Sequence, residues 1–281
     1  MSEVKSEEFY VAGVDVGSTT AKAIILNSNL EVLGKSLQEV TPRVAEDAET
    51  SFVKACKDAG IDREKILLVA GTGYGRLKIR FGKLVVTEIS CHAKGSQHIF
   101  PNTRLTIDIG GQDTKAIRLG PNGEIIDFSM NDKCSAGTGR FLDVCAEALG
   151  YTVDDLGPLS QKSSNPIRIT STCTVFAETE VSNQLARGKK TEDIVNGIHD
   201  SIAQRSLSLA RRVGIESEVT FTGGVSRNIG MVKSLEKALG QKLNVSPLSQ
   251  WFGAIGAAIF AVEEIQKGNT DPMFKQLEVK N

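Results

Sequence analysis

The sequence lacks features that mark several common classes of protein. Its formal net charge is −1 over 281 residues, so no excess of either sign predicts a nucleic-acid partner or a membrane surface. The most apolar stretch, residues 252–262, is too short to span a bilayer. Residues 1–8 are polar and acidic and lack the apolar core of a signal peptide. We therefore expect a cytoplasmic protein that binds neither nucleic acid nor membrane.

Three frequent motifs are also absent. There is no G-x-x-x-x-G-K-S/T and no G-x-G-x-x-G after a strand, so P-loop and Rossmann folds find little support. There is no C-x-x-C pair, and the five cysteines should be reduced in the cytoplasm unless they bind a metal. The chain is nevertheless long enough for two half-domains with a sizeable core.

The most informative feature of the sequence is a duplicated motif. Residues 13–24 read G-V-D-V-G-S-T-T-A-K-A-I, and residues 106–117 read T-I-D-I-G-G-Q-D-T-K-A-I, so that D-x-G-x-x-x-x-K occurs twice. Each copy predicts a strand, a glycine turn and a second strand. Because glycine has no Cβ, such a turn lets backbone N–H groups approach phosphate oxygens. Two copies predict two similar half-domains facing one ligand.

A third glycine-rich element, V-T-F-T-G-G-V-S-R-N at residues 219–228, predicts a strand that enters Gly223 and Gly224 before a helix. The order of the three elements resembles the superfamily of actin, sugar kinases and heat-shock ATPases, which carry two phosphate loops and then an adenosine motif. The resemblance implies an α/β, actin-like (ribonuclease H-like) fold. The expected parts are a first half-domain at 1–98 completed by a helix at 251–267, a second half-domain at 99–250, and a polar tail at 268–281.

Apolar periodicity and helix-stopping glycines predict the main elements. In the first half we expect a strand at 30–36, a helix at 46–59 stopped by Gly60, and a strand at 66–70 that enters a turn at 71–75. In the second half, which starts near Leu105, we expect helices after Gly139, after Cys173 and at 191–213. A last helix at 253–266 should fold back on the first half, and the tail should be loosely held.

Two cysteines stand where helices are expected to begin. Cys134 lies on a loop before one helix, and Cys173 lies between a strand and another helix. Helix N-termini favour thiolates, although a small residue at a tight turn is the plainer explanation for either cysteine alone. A zinc or iron–sulfur site needs four ligands, and no histidine is near either cysteine in sequence. Two thiolates per chain therefore predict a symmetric dimer that shares one site, unless a partner protein completes it.

The other cysteines are predicted to be packed in the core. Cys56 and Cys145 lie on apolar helix faces. Cys91 precedes His92, but adjacent helical residues point about 100° apart and cannot readily chelate one ion. His98 and His199 show no pattern that indicates a function.

Longer stretches of the chain resemble a known family. They are N-D-K-C-S-A-G-T-G-R-F-L-D at 131–143, S-T-C-T-V-F-A-E at 171–178, G-T-G-Y-G-R at 71–76 and S-C-H-A at 90–93. They resemble the activator components of 2-hydroxyacyl-CoA dehydratases and the ATPase subunits of benzoyl-CoA reductases, over about Val11 to Ala261. The resemblance implies a homodimeric ATPase with one 4Fe-4S cluster between the protomers, held by Cys134 and Cys173 of each. It implies ATP-coupled transfer of a low-potential electron from a ferredoxin or flavodoxin to an iron–sulfur dehydratase or reductase.

Chemistry and the superfamily together suggest roles for single residues. Asp15 should hold Mg²⁺ through water, since this hard cation prefers oxygen ligands, and Asp108 should be the second carboxylate on the metal side. Gln112 and Asp113 should orient the attacking water, because hydrolysis needs positioning more than a strong base. The other residues expected to bind ATP or cofactor are Gly17, Ser18, Thr19, Thr20 and Lys22 at the first turn, Gly110 and Gly111 at the second, Gly137 in the cysteine loop, and Gly223, Gly224, Asn228 and Gln250 near the adenosine.

Two other functions fit part of the pattern. A small-molecule kinase of the same superfamily would use the same loops, but it leaves Cys134 and Cys173 unexplained, and most sugar kinases of this fold are considerably longer. A regulatory ATPase without redox chemistry would carry zinc or nothing at the cysteines. In the leading hypothesis, ATP rotates the half-domains and the helices after the two cysteines transmit the movement.

Overall fold

The computed structural model describes residues 8–170, 173–268 and 275–277. The described chain forms two compact units, the first made of the residues up to Ile99 with those from Trp251 onward, and the second made of Phe100–Gln250. The strands are β1 (Tyr10–Val16), β2 (Thr20–Asn27), β3 (Val32–Glu39), β4 (Ile66–Thr72), β5 (Leu84–Val86), β6 (Leu105–Ile109), β7 (Thr114–Leu119), β8 (Ile125–Asn131), β9 (Val219–Thr222), β10 (Leu243–Asn244) and β11 (Lys275–Leu277). The α-helices are α1 (Val44–Ala59), α2 (Glu88–Ile99), α3 (Gly139–Leu149), α4 (Val153–Ser160), α5 (Thr174–Ala186), α6 (Thr191–Val213), α7 (Ile229–Leu239) and α8 (Phe252–Gln266).

The first unit is built on a six-stranded sheet with the order β11-β5-β4-β1-β2-β3. β1, β2 and β3 are antiparallel neighbours, and β4 joins β1 in parallel. β1 is buried along almost its whole length, because α1 packs against the meander while α8 packs against β1 and β4. The contact with α8 is close: a Cβ on Gly13 of β1 would lie 1.9 Å from the carbonyl oxygen of Ala254.

The second unit contains a five-stranded sheet with the order β10-β9-β6-β7-β8. β6, β7 and β8 are antiparallel neighbours, and β9 joins β6 in parallel. Phe141 of α3, Ile198 of α6 and Phe221 of β9 lie in the core of this unit. Each unit therefore contains three antiparallel strands with a fourth strand parallel to the first of them.

Most predicted elements are found close to their expected bounds. The helix predicted at 191–213 is α6, and α1 ends at Gly60, which has a left-handed φ of +66°. The strand predicted at 30–36 is β3, which starts later because a turn precedes it: Leu30 has a φ of +64°, and Asn27 Oδ1 accepts two backbone hydrogen bonds there. The tail, expected to be loosely held, contributes β11, which pairs in parallel with β5. None of the helices in the described part of the chain has the length and apolarity needed to cross a membrane.

Candidate functional site

Four residues of the first unit meet where β1 and β4 end. The strand register places Asp15 of β1 opposite Lys22 of β2 and opposite Thr72 of β4. Lys22 Nζ lies 3.6 Å from Asp15 Oδ2. Gly73 follows with a φ of +84°, and a Cβ on it would lie 2.5 Å from Asp15 Oδ1. Glycine is therefore required here both for its left-handed backbone and for the space it leaves to the buried carboxylate.

The second unit carries the same four residue types in the same arrangement. Asp108 lies opposite Lys115 of β7 and Thr222 of β9, and Lys115 Nζ is 3.0 Å from Asp108 Oδ2. Gly223 has a φ of +89°, and a Cβ on it would lie 2.6 Å from Asp108 Oδ1. The duplicated motif thus extends, in each unit, to a Thr-Gly pair on the neighbouring parallel strand.

Gly73 is a site residue that the sequence analysis did not identify. The sequence predicts only a turn at residues 71–75, and it predicts an adenosine motif at Gly223. The signal that could have found Gly73 is the Thr-Gly dipeptide at the end of an apolar strand in both places. A dipeptide match becomes informative only once both strands are known to lie beside an aspartate-bearing strand.

The two glycine turns have the same hydrogen bond. Gly17 N donates to Thr20 O at 3.0 Å in the first turn, and Gly110 N donates to Asp113 O at 2.9 Å in the second. Thr19 and Gln112 occupy the equivalent exposed position in the two turns. The turn residues that are partly exposed are Gly17, Ser18, Thr20, Gly110 and Gly111. Backbone amides in turns of this kind can approach the oxygens of an anion.

The two lysines have different surroundings. Lys115 is buried and forms ion pairs with two buried carboxylates, Asp108 and Asp113. The position equivalent to Asp113 in the first turn is Thr20, which is uncharged. Lys22 keeps 11% of its side chain exposed at the longer distance from Asp15, so more of its charge is available to an added anion than in the double ion pair of Lys115. Asp113, predicted to orient water, is thus engaged with Lys115.

The residues predicted near the adenosine surround the end of β9. Gly223 leads into a short 3-10 turn that starts at Gly224. Thr222 Oγ1 donates to the carbonyl oxygen of Ser249 at 2.6 Å. That bond holds the segment containing the buried Gln250 next to the Gly223 loop.

Asn228, also predicted near the adenosine, caps α7. Its Oδ1 accepts hydrogen bonds from the backbone N–H groups of Gly230 and Met231. Its Nδ2 lies 3.2 Å from Nε2 of His199, whose ring is neutral at pH 7 because burial lowers the pKa of His199 to about 4. These groups stabilise the start of α7, and a contact between Asn228 and a nucleotide stays a prediction.

The second glycine turn is hydrogen-bonded to the start of α3. The backbone N–H groups of Gly139 and Arg140, the first two residues of α3, donate to the carbonyl oxygens of Gly110 and Gly111, each at 2.8 Å. These two donors are among the N–H groups that a helix cannot satisfy internally. A displacement of the turn would therefore move or break the hydrogen bonds at the start of α3.

The loop that carries Cys134 precedes α3 and is held by further hydrogen bonds. Thr114 Oγ1, at the start of β7, donates to the carbonyl oxygen of Gly137 at 2.7 Å. Asn131 Nδ2 donates to the carbonyl oxygen of Cys134 at 2.8 Å. Gly137, predicted to bind cofactor, has a φ of +92°, and a Cβ on it would lie 3.0 Å from the Arg205 side chain. The loop is thus fixed at several points between β7 and α3.

Cys173 occupies the N-cap position of α5, and its carbonyl oxygen accepts the hydrogen bond of Ala177 N at 2.9 Å. The prediction that each cysteine precedes or begins a helix is confirmed, since the Cys134 loop leads into α3. Residues 161–170 form no strand, so the strand expected just before Cys173 is not found in the part of the chain that the structure describes. Within the residues that the structure describes, no cluster of three or more His, Cys, Asp or Glu residues could hold a metal ion.

The five cysteines fall into two groups. Cys134 and Cys173 are exposed, whereas Cys56, Cys91 and Cys145 are buried. Burial raises the pKa of Cys56 to about 11 and that of Cys145 to about 12, and it raises the pKa of the Cys91 thiol as well. These three thiols stay protonated at neutral pH, and their predicted packing in the core is confirmed.

Two sheets with matching aspartate–lysine hairpins define an actin-like ATPase, and this expected fold is confirmed by comparison with solved structures. The activator of the 2-hydroxyisocaproyl-CoA dehydratase from Clostridium difficile, with bound ADPNP, superimposes with a TM-score of 0.89 at 41% identity. The match covers 97% of this chain and 99% of that one. Residues 12–261 match the BadF/BadG/BcrA/BcrD ATPase family, and the chain belongs to this family.

Curated relatives show the same membership over nearly their full lengths. The chain is 46% identical over 259 residues to the (R)-2-hydroxyglutaryl-CoA dehydratase activating ATPase of Acidaminococcus fermentans, covering 92% of this chain and 99% of the relative. It is 32% identical over 269 residues to one of the benzoyl-CoA reductase subunits of Thauera aromatica, covering 91% and 94%. The family expected from the sequence resemblance is confirmed.

Proposed function

We propose that this protein is an ATP-hydrolysing iron–sulfur activator that works as a homodimer and delivers a low-potential electron to a partner dehydratase or reductase. Its family and the activator names of its relatives support this function. The structural observation that carries the proposal is the contrast among the cysteines. Cys134 and Cys173 are exposed at two helix starts, whereas the other three cysteines of this ATPase-family chain are buried.

ATP is proposed to bind at the glycine turns, as the ADPNP-bound relative supports. The amides and hydroxyls of Ser18, Thr19 and Thr20 would contact phosphate oxygens, and Lys22 would supply a cation that is less neutralised than Lys115. Asp15 offers a carboxylate at the end of β1, a donor type that suits Mg²⁺ with its retained waters. The bound ion would neutralise charge that develops on the phosphates during hydrolysis.

In the second turn, the residues are proposed to have different tasks. Gln112, exposed at the tip, would orient the attacking water. Asp108 would be the second carboxylate on the metal side, and Asp113 would help to orient the water. Both would do so while they form ion pairs with the buried Lys115. Gly110 and Gly111 would permit close approach of the backbone to the nucleotide.

The two exposed thiols fit a cluster shared by two chains. Each protomer would contribute Cys134 and Cys173, so two protomers supply the four thiolates that a 4Fe-4S cluster requires. When bound, such a cluster supplies one-electron transfer at low potential. The N-terminus of α5 favours the negative charge of its thiolates. Val175 and Phe176, each 67% exposed beside Cys173, provide apolar surface that a second protomer would cover.

The coupling between ATP and the cysteines is proposed to run through the second unit. A nucleotide phosphate that contacts Gly110 and Gly111 would move the backbone of this turn. The carbonyl groups of the same two residues accept the hydrogen bonds at the start of α3, so the helix would move as well. The hydrogen bond from Thr114 Oγ1 to the carbonyl oxygen of Gly137 is a second link, from β7 to the loop that carries Cys134. ATP and ADP must favour different arrangements of these bonds, because a ligand that binds both states equally shifts neither.

The rival functions make different predictions. The chain's relatives include dehydratase activators and a component of a reductase, which favours an activator over a small-molecule kinase. A regulatory ATPase would carry zinc or no metal at the cysteines. The electron donor is proposed to be a ferredoxin or flavodoxin, and the acceptor an iron–sulfur dehydratase or reductase component.

The test is the metal content of protein purified without oxygen. The wild-type dimer should be brown and contain about four irons. Cys134→Ser or Cys173→Ser should lose most of the iron, whereas Cys56→Ser and Cys145→Ser should keep it because those thiols are buried and protonated. A colourless protein with zinc would indicate the regulatory ATPase, and full iron in Cys134→Ser would contradict the ligand assignment.

A further inference from the structure

The second unit has a surface groove between α6 and the segment that precedes Cys173. Residues 166–170 form one wall, α6 forms the other, and the groove has a volume of about 630 Å³. The segment is fixed to both neighbouring helices. The backbone N–H of Ile167 donates to the carbonyl oxygen of Asp193 in α6 at 3.0 Å, and the backbone N–H of Thr170 donates to the Glu180 carboxylate in α5 at 3.0 Å. The groove is therefore a built part of this unit.

The segments that carry both exposed cysteines border this groove. Cys173 follows three residues after Thr170, which lines one wall. Arg205 of α6 lines the other wall, and its side chain packs against Gly137 in the loop of Cys134: the atoms nearest to a Cβ on that glycine would be Arg205 Cδ at 3.0 Å and Cβ at 3.3 Å. A molecule bound in the groove would contact both walls and so lie next to both cysteine segments.

The groove carries an excess of positive charge. Its lining includes Arg168, Arg205 and Lys237, and Asp200 is the one acidic residue among the described lining residues. Asp200 is already engaged, because its carboxylate accepts hydrogen bonds from Lys237 Nζ and Ser234 Oγ, each at 2.8 Å. Arg168 is exposed, and no residue in the described part of the chain pairs with it. This local excess contrasts with the net charge of −1 for the whole chain.

A charged groove of this kind suits a partner that binds briefly. Weak redox encounters use small interfaces, whereas permanent partners bury larger and more apolar surfaces. Complementary charge accelerates the association of such partners and selects among them. The exposed apolar side chains Val175 and Phe176 stand on α5 and do not line the groove. The surface proposed for the second protomer and the groove therefore differ in chemistry.

We propose that this groove is the docking site of the electron donor, and that the donor is a small redox protein with an acidic face. The inference rests on the proposed function, since a donor needs a cluster to reduce. Carboxylates of the donor would pair with Arg168, whose guanidinium can bind a carboxylate through two parallel hydrogen bonds. In this encounter one electron leaves the reduced donor and enters the cluster, and no bond is made or broken.

The test uses an acidic flavodoxin as the probe. Calorimetry measures the binding of oxidised flavodoxin to the wild-type protein without oxygen, at low and at high salt. Arg168→Glu reverses the charge in the groove, and Arg168→Lys retains it. Arg80→Glu makes the same change at an exposed position of the first unit and is the matched control. Stopped-flow absorbance then measures how fast reduced flavodoxin passes its electron to each protein, with photoreduced deazaflavin as a small reductant that needs no docking site.

The expected result is a loss specific to the protein donor. Arg168→Glu should weaken flavodoxin binding and slow reduction by flavodoxin by about 10-fold at low salt, and the difference should shrink at high salt because salt screens exposed charges. Reduction by deazaflavin, iron content and ATP hydrolysis should match the wild type. Arg168→Lys and Arg80→Glu should behave like the wild type in every measurement. If Arg168→Glu is not recovered folded, Arg168→Gln should show a smaller loss of the same kind.

Several results would overturn the inference and leave the proposed function standing. One is wild-type binding and reduction by flavodoxin in Arg168→Glu, and another is an equal loss in Arg80→Glu, which would indicate an effect of net charge. Equal slowing with flavodoxin and deazaflavin would indicate damage to the cysteine site. Normal reduction with impaired delivery to the acceptor would assign the groove to the acceptor. A wild-type protein without a cluster would instead overturn the proposed function, and the inference with it.

Discussion

At the scale of single residues, glycines beside carboxylates shape both candidate phosphate sites. Gly73 abuts Asp15 and Gly223 abuts Asp108, each with a left-handed φ. A side chain at either place would meet two costs at once, the backbone conformation and the overlap with a buried carboxylate. Gly60 at the end of α1 is also left-handed, with a φ of +66°, but it faces open space. A substitution at Gly60 therefore has the cost of the left-handed backbone without the cost of an overlap.

We predict that Gly73→Ala destabilises the protein more than Gly60→Ala does. Each substitution should cost about 1–2 kcal/mol for the left-handed backbone. Gly73→Ala should cost about 1–3 kcal/mol more, because its Cβ overlaps a packed region, and it should weaken ADPNP binding by displacing Asp15. Urea unfolding and calorimetry measure the two effects. Equal stability losses in the two variants would show that the overlap with Asp15 is relieved without cost.

At the scale of elements, β7 and α3 are joined across the cysteine loop by a small number of hydrogen bonds. The hydroxyl of Thr114 reaches Gly137, and the amides that start α3 reach the carbonyl groups of the second glycine turn. Short, direct links of this kind can transmit a displacement from a turn to a loop without rearranging the core. The buried Thr103–Thr220 hydroxyl pair, 2.6 Å long, lies in the same unit at a distance in sequence from the cysteine loop.

We predict that Thr114→Val uncouples the cysteine loop from the nucleotide. Valine keeps the shape of threonine but leaves the Gly137 carbonyl without its donor, a loss of about 1–3 kcal/mol in stability. ATP hydrolysis should continue, while ATP-driven electron delivery to the partner enzyme falls. Thr103→Val is the control, since it should lose comparable stability and keep the coupling. The same ratio of electrons delivered to ATP hydrolysed in Thr114→Val as in wild type would argue against this route.

At the scale of the whole molecule, the two units share a plan but carry different chemistry. The first holds the less neutralised lysine, Lys22, and the second holds the buried Lys115 ion pairs and both exposed cysteines. In the proposed homodimer, the four exposed thiols of two protomers would form one site. Nucleotide binding would then alter a cysteine site that neither protomer completes alone.

We predict that ATP makes this shared site more accessible than ADP does. In reduced protein without oxygen, iron loss to the chelator bathophenanthroline should be faster with ATP than with ADP. Gln112→Ala should slow hydrolysis and keep the ATP effect, because binding and not cleavage selects the conformation. Equal chelation rates with ATP, with ADP and without nucleotide would contradict the mechanical coupling but leave the ATPase and the cluster assignments standing.

The sequence by itself determined the repeated plan and the candidate ligands. D-x-G-x-x-x-x-K at two places predicts two hairpins, because strand alternation and glycine turns are local properties of the chain. The positions of Cys134 and Cys173 at helix starts follow from the same local signals. The end of α1 at Gly60 can also be predicted from the sequence, since a left-handed C-cap favours glycine.

Only the tertiary structure decided which side chains surround the two aspartates. Gly73 reaches Asp15 because β4 lies beside β1, and Gly253 reaches it because α8 packs against β1. Asp113 adds a second carboxylate to Lys115, whereas the equivalent position in the first turn is occupied by an uncharged threonine. These contacts depend on strand register and helix approach distance, which are set by packing over the whole unit. Local patterns therefore locate the turns, and packing determines the chemistry around them.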